Sequence, residues 1–257
     1  MKPSRELFNI AAYLVAFLLI QTFVRILVSQ VYSGPESISL VITITAANLL
    51  TILLFVLCRW SPFSRDYLRL RPWATLVWVA LLAVGTIIPS MWMLETLGVD
   101  MPEETRDMFK EIMKEPWGYL ALGILAPIAE EMVFRGALLR SLLNIFNHRY
   151  HWLPILLSAL IFGAFHGNIP QFIHGALLGL LLGWMYYRTD SIVPGIVFHW
   201  VNNSVAYAWE NIMPQAADAK LIDLLGSQQN VLLAIGFSLL ILLPSLFQVA
   251  IRLRRAK

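Results

Sequence analysis

Apolar residues run along this chain in eight long blocks, separated by short stretches that gather most of its charge. The blocks are Leu7–Ser29, Ile38–Cys58, Trp73–Leu94, Trp117–Leu143, Trp152–Gly167, Pro170–Tyr187, Ser191–Trp209 and Val231–Leu253. A helix needs about 20 residues to cross ~30 Å of hydrocarbon, so most of these blocks predict transmembrane helices, the fifth to seventh being somewhat short. The first block follows Lys2 and Arg5 as a signal peptide would. Yet it runs on to Ser29, includes Arg25 and lacks a small-residue cleavage site, so a retained helix is expected. The fold class predicted is all-α, a polytopic membrane protein of about eight transmembrane helices.

Composition agrees. The chain is 58% hydrophobic and only 14% charged, with a mean hydropathy of +0.69, whereas soluble domains are roughly 45–50% apolar and about 25% charged. No basic stripe with interleaved aromatics accompanies the net charge of +3, so nucleic acid is not an expected partner. The lipid bilayer is. The single cysteine, Cys58, excludes an internal disulfide and reads as a small packing residue at the end of a span.

Charge also predicts the orientation. Lys2, Arg5, Arg59, Arg65, Arg69, Arg71, Arg140, Arg149, Arg188, Arg252, Arg254, Arg255 and Lys257 fall in one set of alternate loops and ends. Arg106, Lys110, Lys114 and Lys220 fall in the other. Cytoplasmic loops carry the excess of Lys and Arg, so both termini are expected in the cytoplasm. In the outer loop, "MPEETRDMFKEIMKEP" puts Met101, Thr105, Met108, Phe109 and Ile112 at helical spacing, which predicts an amphipathic surface helix. Gly175, Gly179 and Gly183 form a double GxxxG in the sixth block, suited to close helix packing.

Against this background the polar residues inside the blocks stand out. A charge at membrane depth costs at least about 2.5–3.5 kcal/mol on insertion scales, so such residues face a partner or a cavity. In "APIAEEMVFRG", Glu131 and Arg135 are i,i+4 and can neutralise each other, with Pro127 upstream to kink the helix. Glu130 points about 100° away from Glu131 and needs another donor. His166 in "IFGAFHG" has Phe162 one turn earlier on its face, and His199 and Asn203 in "FHWVNNS" share a face at i,i+4. Three inserted helices thus bring a carboxylate, two imidazoles and an amide to overlapping depths, a set suited to acid–base chemistry. Asn202 is expected to point elsewhere. His174 has no evident partner, and His148 and His151 are expected to face water or headgroups.

"EEMVFR", "FGAFH" and "HWVNN" fit EExxxR, FxxxH and HxxxN in that order. In this the chain resembles the CPBP family of intramembrane proteases, which includes CAAX prenyl proteases and is also called the abortive-infection family. The similarity covers roughly residues 117–209. It suggests a division into 1–116 (three helices and the outer loop), 117–209 (the catalytic core of four helices) and 210–257 (an outer loop, the last helix and a basic tail). The resemblance implies that Glu130 is the general base activating water and that His166 cooperates with it. It further implies that His199 and Asn203 stabilise the oxyanion, with Glu131, Arg135 and Phe162 in support. No serine or cysteine nucleophile is apparent.

The expected function is therefore intramembrane hydrolysis of a peptide bond in a membrane-associated CAAX-like or precursor substrate, in a bacterial plasma membrane. No metal is needed on this reading, because Asn203 is a poor zinc ligand and a good oxyanion donor. Glu130, His166 and His199 would be the ligands if zinc were bound. Two rivals remain from the sequence: a non-catalytic binding protein such as a bacteriocin-immunity factor or scaffold, and a proton-coupled transporter, which no inverted repeat supports. Substrate identity and oligomeric state are not encoded legibly.

Overall fold

The computed structural model describes residues 3–62, 64–146, 148–214 and 219–254, the side chain of His148 excepted. Lys2, Arg255 and Lys257 of the charge partition lie outside these. The described chain is helical throughout, with no strand. Its helices are α1 (Pro3–Val31), α2 (Glu36–Leu57), α3 (Arg65–Arg69), α4 (Trp73–Thr96) and α5 (Glu103–Lys114), followed by a continuous helical path from Tyr119 to Ile145. Beyond it come α8 (Trp152–Ala164), α9 (Ile169–Thr189), α10 (Val193–Ile212), α11 (Leu221–Leu225) and α12 (Gln228–Arg252). The path at 119–145 contains α6 (Ala126–Glu131) and α7 (Arg140–Ile145), separated and preceded by two wider i→i+5 turns at Tyr119–Leu125 and Met132–Leu139. Each predicted block is helical, and its ends shift by a few residues where caps decide. Asn168 accepts from Gln171 N at 3.0 Å to start α9, and Ser227 accepts from Asn230 N at 3.2 Å to start α12.

Five of these helices, α1, α2, α4, α9 and α12, are long and apolar enough to cross a membrane. The other three predicted spans are helical but fall short of that test. At 13 residues α8 is only about 20 Å long. The path at 119–145 and α10 hold the polar groups singled out above, which lower their hydropathy. Outward-facing apolar side chains come from long and short helices alike: α12 turns Leu232, Leu233, Phe237 and Leu240 outward, and α8 turns Leu153, Leu156 and Leu160 outward.

Long-range hydrogen bonds sort the helix ends into two poles. At one, Asn144 Nδ2 donates to Glu6 Oε1 (3.4 Å), Arg140 Nη2 to Trp60 O (2.8 Å), Ile192 N to Ser64 Oγ (3.3 Å) and Arg188 Nη2 to Ala250 O (3.1 Å). His151, expected to face water, instead stacks on Tyr187 at this pole with centroids 4.2 Å apart. Its flat ring finds an aromatic partner where α8 and α9 meet. At the other pole, Ser37 Oγ donates to Glu115 Oε1 (2.6 Å), Asn211 Nδ2 to Met113 O (3.2 Å) and Leu221 N to Glu95 Oε1 (2.8 Å). Cys58, read as a packing residue, is exposed, because it falls just past the last turn of α2.

The amphipathic helix in the loop is present as α5, with Ile112 buried in a small cluster with Val41 and Ala121. Two larger cores hold the bundle. One is aromatic, built on Phe17, Phe55, Phe134 and Phe162. The other joins Val79 and Leu82 of α4 to Leu182, Phe198 and Val249. Close approach of α8 and α9 depends on glycine. A Cβ at Gly163 would lie 2.6 Å from Phe172 O, and one at Gly179 would lie 2.9 Å from Ala159 Cα, so neither backbone has room to yield.

Gly163→Ala and Gly179→Ala should each destabilise the fold by about 1–3 kcal/mol, the range for overpacking a filled site. Gly236→Ala, with nothing within 4 Å, should be neutral or stabilising. Thermal unfolding of the three variants in one detergent measures the contrast.

Candidate active site

The site is built around an ion pair. Arg135 Nη1 donates to Glu131 Oε1 at 2.8 Å, and both side chains are 0% exposed. The predicted i,i+4 geometry is therefore realised, in a dry interior. Three other helices shape the space around it. Phe162 of α8 lays its ring 4.3 Å from the guanidinium carbon, a cation–π contact that covers charge with an apolar surface. Gly179 of α9 leaves room for Arg135 Nη2, and a Cβ at Gly195 of α10 would run into Glu131 Oε2. In addition, Ser158 Oγ of α8 donates to Phe134 O at 3.0 Å, tying that helix to the wide turn that carries Arg135.

His199 lies between the two glutamates. Its Nδ1 is 3.5 Å from Glu131 Oε1, and its Nε2 is 3.7 Å from Glu130 Oε2. Neither contact is a hydrogen bond: His199 Nδ1 and Glu130 Oε2 have no hydrogen-bond partner among the described residues. The sequence suggested His166 beside Glu130; the imidazole within 4 Å of Glu130 is His199. His166 lines the same cavity, with Nδ1 3.0 Å from Phe162 O. A carbonyl only accepts, so Nδ1 is the donor in this contact and Nε2 is left free to face the cavity. Phe162 packs edge-on against both imidazoles, with centroids 5.0 Å from His166 and 5.9 Å from His199.

Asn203 Nδ2 donates to Leu122 O at 3.0 Å, and Pro127 explains why that carbonyl is available. In the wide turn at Tyr119–Leu125, Ala126 N bonds to Ala121 O, five residues back. The next bond in that register would run from residue 127 to Leu122, and proline has no N–H. Asn203 supplies the missing donor from α10. One of its two amide hydrogens is thereby held, which fixes the plane in which the other points.

A cavity of about 570 Å³ connects these groups, with Glu130, His166, His199 and Asn203 all on its wall. The Glu130 side chain is 23% exposed, while Glu131 and Arg135 lie behind it. The remaining wall is largely apolar, from Ile87 and Met91 of α4 to Phe109 and Met113 of α5. Two further residues belong to it that the sequence reading set aside. His174 Nε2 donates to Asn202 Oδ1 at 3.5 Å, and both line the cavity. Asn202 does not point elsewhere. It is i,i+3 from His199, a spacing that shares a helix face as i,i+4 does, and this was the available signal. Ser204 is held by other bonds: its hydroxyl donates to Trp200 O (2.7 Å) and lies 2.9 Å from Tyr119 Oη.

Among the described residues no three His, Cys, Asp or Glu side chains gather as a metal-holding group, Glu130, His166 and His199 included.

Residues 113–205 match the family model for Rce1-like type II CAAX prenyl endopeptidases. The match encloses the path at 119–145, α8, α9 and most of α10, with Glu130, Glu131, Arg135, Phe162, His166, His174, His199, Asn202 and Asn203. No curated protein and no solved structure matches the chain.

Removing Arg135 strands the Glu131 charge in a dry interior. Arg135→Met should therefore lower stability by about 3–5 kcal/mol, read from unfolding in detergent. Asn203→Ala leaves Leu122 O unpaired and should cost about 1–3 kcal/mol. Pro127→Ala, which restores the N–H, should recover part of that loss. A double variant no more stable than Asn203→Ala would disprove the register assigned to the wide turn.

Proposed function

We propose that this integral membrane protein is an endopeptidase of the CPBP/CAAX protease type whose general base is Glu130, a reading supported by the match of residues 113–205 to Rce1-like type II CAAX prenyl endopeptidases. The observation that carries the reading is Glu130 on the wall of a largely apolar cavity, with an imidazole nitrogen 3.7 Å away. The substrate is a membrane-associated peptide, CAAX-like or a precursor. An apolar wall with a few convergent polar groups suits an extended segment that carries one peptide bond to the site.

In the reaction, Glu130 takes a proton from water as the oxygen attacks the scissile carbonyl. The N–H of Asn203 not held by Leu122 O faces the oxyanion, a contribution of about 3–4 kcal/mol for a well-aimed donor. His199 assists, its Nδ1 side oriented by Glu131, which Arg135 fixes in turn. His166 offers Nε2 to the reacting water or the departing amine. The carbon–nitrogen bond then breaks, and the proton held by Glu130 passes to the leaving amine. No step requires a metal.

The finer topology is part of the same proposal. Eight segments cross the membrane, including the path at 119–145, α8 and α10, whose polar residues are turned inward. Both termini face the cytoplasm, as the distribution of Lys and Arg favours.

Glu130→Gln keeps size and hydrogen bonding but cannot take the proton. It should reduce cleavage by about 10²–10⁴-fold. Membrane-peptide profiles of cells carrying either version at equal abundance provide the measurement, followed by purified protein with and without a chelator. Identical profiles would eliminate Glu130 as the base. Loss of activity with the chelator, restored by added zinc, would overturn the metal-free scheme.

A further inference from the structure

The cavity that holds Glu130 reaches one pole of the bundle and stops short of the other. Its wall draws on α4 only between Ile87 and Leu94, on α9 only between Pro170 and Leu182, and on α10 only between Phe198 and Glu210. These are the second half of α4, the first two thirds of α9 and the later part of α10. All lie towards the pole where Ser37 meets Glu115 and Asn211 meets Met113 O. Helix α5, which belongs to that pole, completes the wall with Phe109, Lys110 and Met113. No described residue of the loops at 58–72, 146–151 or 190–192, which mark the opposite pole, lines it.

Charge separates the same two poles. The pole without the cavity bears Arg5, Arg59, Arg65, Arg69, Arg71, Arg140, Arg149, Arg188, Arg252 and Arg254 among the described residues. The cavity pole bears Arg106, Lys110, Lys114 and Lys220. Ten against four, all in short loops or next to span ends, sets the arginine-rich pole in the cytoplasm. Cavity and cytoplasm are therefore on opposite sides of the bundle. A charged or polar peptide crosses hydrocarbon only at high cost, so the side on which the cavity opens decides which peptides can reach it.

We propose that Glu130 is reached from the non-cytoplasmic face, past α5, and that the substrate is the outward-facing portion of a membrane-anchored peptide rather than a lipidated tail on the cytoplasmic leaflet. This rests on the endopeptidase reading for the identity of the ligand as a substrate. The direction of access is a property of the cavity, and its test involves no catalysis.

The experiment is labelling by a membrane-impermeant maleimide in intact spheroplasts, compared with permeabilised ones. Native Cys58, the chain's one cysteine and exposed at the cavity-free pole, is the internal reference. In a Cys58→Ser background, Glu104→Cys reports the outer surface of α5 and Ala206→Cys reports the cavity wall. The expected result is labelling of Glu104→Cys and Ala206→Cys in intact spheroplasts, with Cys58 in the otherwise native chain labelled only after permeabilisation. Labelling of Cys58 in intact spheroplasts, or of Glu104→Cys only after permeabilisation, would overturn the proposal by reversing the topology. So would labelling of Glu104→Cys from outside with none at Ala206→Cys, because the cavity would then be closed to that face. A Glu130→Gln variant that still cleaves would instead overturn the catalytic reading, and leave these labelling results unchanged.

Discussion

The arrangement of the site depends on one buried ion pair. With both side chains fully removed from solvent, Glu131 and Arg135 lose hydration worth several kcal/mol each, and their attraction offsets this only in good geometry. The single 2.8 Å bond leaves Glu131 Oε2 and Arg135 Nε and Nη2 without a hydrogen-bond partner among the described residues. Position and packing must do the rest. Phe162 covers the guanidinium, Gly179 and Gly195 withhold the atoms that would collide with it or its partner, and His199 turns a nitrogen towards the carboxylate. Helices α8, α9 and α10 thus each contribute a fitted element to the same pair. The fit that keeps two charges together also fixes His199 beside Glu130.

Much of this was legible in the chain itself. The eight apolar blocks mark the helices, since nothing else satisfies backbone polar groups inside a membrane as readily. Glu131 and Arg135 announce their pairing by spacing, and the GxxxG repeat announces the face that α9 turns to α8. Membrane depth was informative in the same way, since Glu130, His166, His199 and Asn203 do line one cavity. What spacing cannot supply is rotation between helices. Whether His166 or His199 lies nearer Glu130 depends on how α8 and α10 are turned about their axes, and that follows from packing at Gly163, Gly179 and Gly195. The wide turns were hidden for another reason. Pro127 signals a disturbed helix, but proline is compatible with a kink, a break or a changed hydrogen-bond register, and only the partner of Leu122 O distinguishes them. Asn202 shares the face of His199 through i,i+3 spacing, whereas the partner of His174 lies on another helix and is not legible from spacing along α9.

Hydropathy and chemistry are distributed in opposition. The helices that pass a membrane-crossing test are, except for α9, the ones that hold none of the site's polar groups, and they turn much of their surface outward. The segments that carry Glu130, Glu131, Arg135, His166, His199 and Asn203 are shorter or less apolar, and they turn these polar groups inward while α8 still presents Leu153, Leu156 and Leu160 outward. A bilayer tolerates such segments when their polar groups face the bundle interior.

The wide turn at Tyr119–Leu125 has a consequence for the length of the chain there. An i→i+5 turn accommodates one residue more than an α-turn over the same rise, so the segment before Glu130 is longer than a regular helix would require. Each residue of a helix advances the direction of its side chains by about 100°. Loss of a single position between Tyr119 and Leu125 could be absorbed by tightening the turn, but at the expense of the carbonyl that Asn203 now holds. Loss of a position between Pro127 and Glu130 could not be absorbed at all. It would swing the carboxylate off the cavity wall and carry the Glu131–Arg135 pair out of its glycine-lined recess. The number of residues in this stretch is therefore as strongly constrained as their identity.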